Sequence, residues 1–288
     1  HYIRKYTEEG LPAVDGEDGE KPAIAGLGGT SIYVSGIVGG LTTPLGVEAV
    51  DRAGNSYVED SFAKADAMGQ TLAEMALVAL RDDAEQIEED TLTVRSRSFL
   101  LPVSNLLLTQ ALQTLGVLNR GVYNMRQLDS GTEGYYPHVR TAVTRFTIGE
   151  LSIQGIPGEI FPELSVGFGQ GTALANPWLG DPTKTECGAS MLPDTEGSER
   201  CIISPGNEYP PAIEDAPTDG FLREIVPGEY QVLAGLTDDE LGYLVPSYDY
   251  KVNEVVPGLV EAPGDHYEET NSVSDSVGTI LEMIESLY

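Results

Sequence analysis

The stretch from Phe146 to Leu164 constrains the fold more than any other. Phe146 and Ile148 alternate on one side of Gly149-Glu150, and Leu151 and Ile153 alternate on the other, which predicts two short strands joined by a tight turn. Pro157 and Gly158 then end the second strand and leave Glu159 on a rigid turn. A carboxylate fixed there costs little entropy to position, which suits a metal ligand or a general base. The competing reading is a solvated loop glutamate.

A chain of 288 residues can bury a core for one large domain or two smaller ones. His1 to Gly10 reads as the end of a helix with Ile3 and Tyr6 on one face, and Leu11 to Gly29 as an exposed loop. Ser31 to Val38, with Ile32, Val34, Ile37 and Val38, predicts a buried strand that ends at a structural turn, Gly39-Gly40. Asp60 to Arg81 predicts a helix whose core face is Ala65, Met68, Leu72, Ala76 and Ala79. Thr91 to Leu100 alternates as a strand and carries Arg95 and Arg97 on one face, either as a clamp for a carboxylate or phosphate or as partners for nearby acids. A short helix is expected at Asn105 to Gly116, a strand at Glu229 to Leu236, and a loop from there on to Asn271. The C-terminal segment predicts an amphipathic helix capped by Ser274 or Asp275, with Val277, Ile280, Leu281, Ile284 and Leu287 inward.

Ser165 to Gly228 is irregular, rich in Gly and Pro, and reads as an elaboration covering a site or a partner surface. It holds both cysteines, Cys187 and Cys201. A pair within one irregular loop suggests a disulfide and an oxidising compartment; two reduced, buried thiols are the alternative. With 46 acidic against 16 basic residues and a formal net charge of -30, the chain repels phosphate backbones and anionic headgroups, so nucleic acid and polybasic membrane contacts are excluded as partner classes. The five lysines and the acidic surface fit a salty or extracellular setting. No stretch reaches the length of a transmembrane segment. The abrupt opening, His1-Tyr-Ile-Arg-Lys-Tyr6, implies a processed or truncated polypeptide.

No self-sufficient catalytic set occurs: there is no His-Glu-x-x-His and no Gly-x-Ser-x-Gly. His138 lacks a second histidine at ligand spacing. Asp238, Asp239 and Glu240 form an acidic cluster without the ordered spacing of a calcium loop, and read as a solvated turn or helix start.

Four segments carry a resemblance. Phe146-Thr-Ile-Gly-Glu-Leu-Ser-Ile-Gln-Gly-Ile-Pro-Gly-Glu159 resembles the segment of neutral and alkaline ceramidases in which a strand delivers a Pro-Gly-Glu turn to the active-site zinc. Leu233-Ala-Gly-Leu-Thr-Asp-Asp-Glu-Leu-Gly-Tyr243 is similar to that family's Gly-Leu-x-Asn-x-x-x-Gly-Tyr stretch, and His266-Tyr-Glu-Glu-Thr-Asn-Ser-Val273 to the Tyr-Glu…Ser pattern before its terminal helix. Ser31 to Gly40 followed by the helix from Asp60 looks like the family's strand, glycine turn and helix.

The resemblance implies a mixed α/β fold, with β-sheets covered by α-helices, in which residues 1–288 are the C-terminal part of one ceramidase-like catalytic domain lacking its N-terminal portion. The insertion would lie at about 165–228. It implies that Glu159 is a zinc ligand and that Tyr243 is both a metal-approaching and a catalytic residue, its phenol acidified by the cation. The implied activity is that of a secreted or periplasmic zinc amidohydrolase acting on an N-acyl lipid amide. Two departures accompany it. The family's two histidine ligands lie upstream of the segment that His1 to Tyr6 resembles, so zinc would be shared with an N-terminal portion or a partner chain. Gly39-Gly40 stands where the family has Gly-Asp. A non-catalytic extracellular structural or interaction protein on the same scaffold is the alternative.

Overall fold

The structure is a computed structural model. It describes residues 1–16, 19–41, 44, 47–82, 84, 91–105, 107, 108, 115, 116, 120–123, 137–167, 209, 212, 215–217, 220–264 and 266–288. Most of the expected helix at 105–116, most of the irregular segment 165–228, and both cysteines lie outside the described residues. The chain divides into two compact units, His1–Val34 with Thr42–Glu88, and Ser35–Leu41 with Glu89–Tyr288. The fold is mixed α/β, with several small sheets and helices.

The first unit pairs two helices, α1 (Tyr2–Glu9) and α2 (Phe62–Asp82). Between them run short strands: β1 (Gly10–Leu11), β2 (Val14–Gly16), β3 (Gly19–Lys21), β4 (Ile24–Ala25), β5 (Ala49–Val50) and β6 (Ser56–Tyr57). The pairs are β1 with β4, β2 with β3 and β5 with β6, all antiparallel, so the expected loop at 11–29 is in large part hairpin. Arg52 holds it: this 3% exposed guanidinium donates to the carbonyls of Pro12 and Pro22, each at 2.8 Å.

α2 turns a different face inward from the one its apolar spacing predicts. Ala67, Gly69, Ala73 and Leu77 are buried, whereas Leu72 is 49% exposed and Ala65 and Ala79 face outward. The cause is close helix approach: a Cβ at Gly69 would lie 2.4 Å from that of Tyr2, so only a small-residue face admits α1. A polar lock reinforces it, since the Tyr6 hydroxyl donates to Asp66 Oδ1 at 2.7 Å and Gln70 donates to the other oxygen at 2.8 Å. Tyr6, Leu11, Ala73 and Leu77 form the small core.

The second unit is built on one sheet. Its strands are β7 (Leu92–Pro102), β8 (Val122–Tyr123), β9 (His138–Ile148), β10 (Leu151–Gly155) and β12 (Tyr230–Ala234), in the order β12-β10-β9-β7 with β8 also on β9. β7 and β9 are antiparallel along their whole length, from Leu92↔Ile148 to Pro102↔His138. The predicted hairpin closes at Gly149, whose φ of 52° suits glycine, and places Ile153 opposite Phe146. The predicted strand at 229–236 is β12 and runs parallel to β10. Two further strands, β11 (Glu159–Ile160) and β13 (Tyr243–Leu244), pair with each other, and the described residues of the unit also form the helices α3 (Glu163–Val166), α4 (Leu222–Ile225), α5 (Tyr267–Thr270) and α6 (Val277–Glu285).

α6 is the predicted C-terminal helix. Val277, Ile280 and Ile284, with Leu287 beyond its end, join Leu101, Val139, Val143, Ile156 and Leu233 in the main core. Ser276 stands at its N-cap without a side-chain bond, and Ser274 instead accepts the Ser276 amide at 3.2 Å. α5 is a single helical turn where a loop was expected. Helices therefore line the core face of the sheet. On the opposite face, strand alternation and register align Leu92, Ile148, Leu151 and Tyr230 in one row, and Val94, Phe146, Ile153 and Val232 in the next. Leu92 and Val94 are more than half exposed.

Ser31–Val38 is not the buried strand expected. Ile32 is 90% exposed, and no strand ladder runs through this segment among the described residues. Two backbone bonds stand in place of a ladder, Gly235 N to Ser35 O and Gly39 N to Ile160 O, both 2.9 Å. The glycines bring backbone against backbone, and Ile32 and Val34 stay exposed while Ile37 packs partly buried against the main core.

The reassigned face of α2 has a measurable consequence. Leu77→Ala should cost about 3 kcal/mol in urea unfolding and Leu72→Ala less than about 1 kcal/mol. Equal costs would restore the face read from apolar spacing.

Candidate functional site

Glu159 and Tyr243, far apart in sequence, are Cα partners in the parallel β11–β13 ladder. The turn that carries Glu159 is tied on every side by backbone bonds. Glu159 N donates to Gly242 O at 2.9 Å, Leu241 N to Pro157 O at 3.0 Å, and Leu236 N to Gly158 O at 3.1 Å. Glu159 thus sits half-buried in a strand rather than on a solvated loop. Glycine is required on both sides of the ladder. A Cβ at Gly158 would lie 2.6 Å from Gly242 O, and one at Gly242, whose φ is 78°, would lie 1.8 Å from Asn271 O.

Tyr243 is 8% exposed and lies between two other rings. Phe161 meets it edge-on at 6.4 Å and Tyr267 at 6.1 Å. Tyr267 begins α5, which a buried contact secures: His266 Nδ1 lies 2.7 Å from Glu269 Oε1, and the same oxygen accepts the Lys251 amide at 3.1 Å. Gly39, where the resemblance expects a turn before an acid, is flush with β11: a Cβ there would lie 2.6 Å from the Ile160 carbonyl carbon and from Phe161 Cδ2.

The electrostatics are one-signed. Burial raises the Glu159 carboxyl above its usual range, and the charges of Glu240 and Glu268 raise it further. Burial likewise raises the Tyr243 phenol, followed by the charge of Glu159 and the neighbouring Tyr267. The expected acidification of Tyr243 depends on a cation; the protein's own groups act the opposite way and keep the hydroxyl protonated at neutral pH. Tyr267, Glu240, Glu268 and Phe161 were not assigned site roles from sequence. Glu268 and Tyr267 were within the quoted Tyr-Glu run, but no spacing rule ties that run to Glu159.

The other candidates have separate roles. Asp239 forms a two-pronged pair with Arg120, one arm of which is 2.8 Å, and Glu240 accepts the Gly242 amide at 2.9 Å. Asp238 takes a left-handed backbone with φ 74°. His138 opens β9. Among the described residues no group of three or more His, Cys, Asp and Glu is placed to hold a metal. Zinc sites use about four ligands, three of them from protein when catalytic. Glu159 and Tyr243 fit part of such a set, as a carboxylate and a phenol side by side, and do not complete it.

No protein-family model matches the chain, and no curated protein matches it in sequence. The crystal structure of neutral ceramidase from Pseudomonas aeruginosa is similar at a TM-score of 0.40 and 14% identity, over 83% of this chain and 34% of that one. The chain spans about a third of that protein's length, and the similarity is too low to establish a shared fold.

The raised carboxyl gives a signed pH dependence. The folded state binds the Glu159 proton more tightly than the unfolded chain, so wild type loses stability as pH rises from the ordinary carboxylate range through the raised value. In chelator-treated protein, Glu159→Gln should therefore be more stable than wild type at pH 7, and the gap should close at pH values below the ordinary range. Urea titrations of both proteins at several pH values check this; a variant less stable than wild type at pH 7 contradicts it.

Proposed function

We propose that Glu159 and Tyr243 are one half of the metal site of a zinc-dependent amidohydrolase resembling neutral ceramidase. The observation that carries this reading is the β11–β13 register, which sets a carboxylate and a phenol side by side on two strands tied by backbone bonds. The electrostatics support it: burial first, and neighbouring negative charge second, raise both groups, and a bound cation would oppose both effects. The remaining ligands would be histidines of an N-terminal portion or partner chain.

Bound zinc supplies an acidified water and polarises an amide carbonyl. Glu159 offers an anionic oxygen to hold the cation. Tyr243, whose phenol the cation would acidify, would approach the metal and stabilise charge developing on the carbonyl oxygen. Phe161 and Tyr267 flank the phenol and limit water at it. The substrate is an N-acyl lipid amide, by resemblance. The two cysteines and the acidic composition support a secreted or periplasmic setting. No described helix is long and apolar enough to cross a membrane.

A second reading is a non-catalytic interaction protein on the same scaffold. The apolar rows on the outer sheet face favour it, since such a face suits a partner. Zinc content separates the two. In the full-length protein that contains this chain, wild type should hold stoichiometric zinc, and Glu159→Ala should bind it at least about tenfold more weakly in chelator competition. Unchanged zinc in the variant removes the ligand assignment, and zinc-free wild type favours the second reading.

A further inference from the structure

Three arginines on the core-side face of β7 and β9 have no acidic partner among the described residues. Strand alternation places Arg95 and Arg97 on one face of β7, and Arg145 is the direct cross-strand partner of Arg95. Like charges directly opposite each other destabilise a sheet pair. In a chain with 46 acidic residues, none of the three forms an ion pair among the described residues. Arg145 is 6% exposed, and its Nη1 is buried without a hydrogen-bond partner. Arg95 and Arg97 are exposed.

The contacts that do exist are with the chain beyond α6. Arg95 Nη1 and Arg145 Nη2 both donate to the Leu287 carbonyl at 2.8 Å, and the Tyr288 ring lies 4.0 Å from the Arg145 guanidinium. Docking the C-terminal end of α6 explains one acceptor. It leaves two full positive charges on a single carbonyl, against a helix end worth roughly half a negative charge. A water between Arg145 Nη1 and Gln154 Oε1, the unpartnered acceptor on the next strand, would satisfy both atoms without neutralising anything. A guanidinium does not shed its proton, so the charge requires a counter-ion.

We propose that Arg95, Arg97 and Arg145 form a binding site for an oxyanion of the carboxylate or phosphate type. The anion docks on the exposed N–H groups of Arg95 and Arg97, with Arg145 behind them as a fixed, desolvated positive charge. Planar N–H forks match the oxygen spacing of both anion types. This site is separate from Glu159 and Tyr243 and does not rest on the zinc reading.

Calorimetric titration with inorganic phosphate and with acetate, at constant ionic strength, tests it. Wild type should bind at least one of them saturably, and Arg95→Gln and Arg97→Gln should each bind at least about tenfold more weakly. Both positions are exposed and Arg97 makes none of the bonds that dock the chain beyond α6, so Arg97→Gln keeps the fold, and a urea-unfolding midpoint close to wild type checks that Arg95→Gln does too. Phosphate binding without acetate binding assigns a phosphoryl ligand, and binding of acetate assigns a carboxylate. Absence of saturable binding of either anion by wild type, or wild-type affinity in both variants, overturns the proposal.

Discussion

The candidate site depends on a ladder two residues long. β11 and β13 exchange few backbone bonds, and they lie close only because Gly158 and Gly242 present no side chain to each other or to Asn271. Longer ladders gain stability from many bonds. This one is held from outside, by Leu236 and Thr237 on the Gly158 and Ile156 carbonyls and by Tyr243 N on Asn271 O at 3.3 Å. The position of Glu159 is therefore set by three separate segments of chain, and its geometry is only as firm as the packing of each.

Elements with strong local pattern were legible in the sequence. The Phe146 to Gly155 hairpin, β12 and α6 each show alternation or helical periodicity that coincides with burial, because each packs one face on a single large core. α2 shows where pattern fails. Its larger apolar residues form a stripe, yet the contact with α1 selects for small size at Gly69 and Ala73 and for a hydrogen bond at Asp66. Ser31–Val38 fails for a related reason: strand propensity is present, but the contacts made are between backbones at glycine. At the site, the turn before Glu159 was readable from Pro157 and Gly158, whereas Tyr243 was singled out by resemblance and not by pattern. The carboxylates at Glu240 and Glu268 were not, because their influence on Glu159 arises from tertiary placement.

Charge gives the second unit two opposite environments. Around Tyr243 the protein gathers carboxylates and apolar rings, which raise both Glu159 and Tyr243 and suit a cation. Around Leu287 it gathers guanidinium groups that form no ion pair among the described residues, against a background charge of -30. Charges of one sign held together without partners cost stability in each place, and the cost is offset only where a group of the opposite sign is present.

β7 carries a further consequence for the molecule in solution. Among the described residues it is the last strand in the order β12-β10-β9-β7, eleven residues long, with Leu92, Val94 and Leu100 well exposed. Such an edge invites a second copy to add on as another strand. Arg95 and Arg97 stand at the middle of this edge on the other face of the strand, and two copies aligned antiparallel there would bring their arginines face to face. The same side chains thereby act as gatekeepers against fibre-like growth, so neutralising them carries a risk of precipitation that has nothing to do with binding.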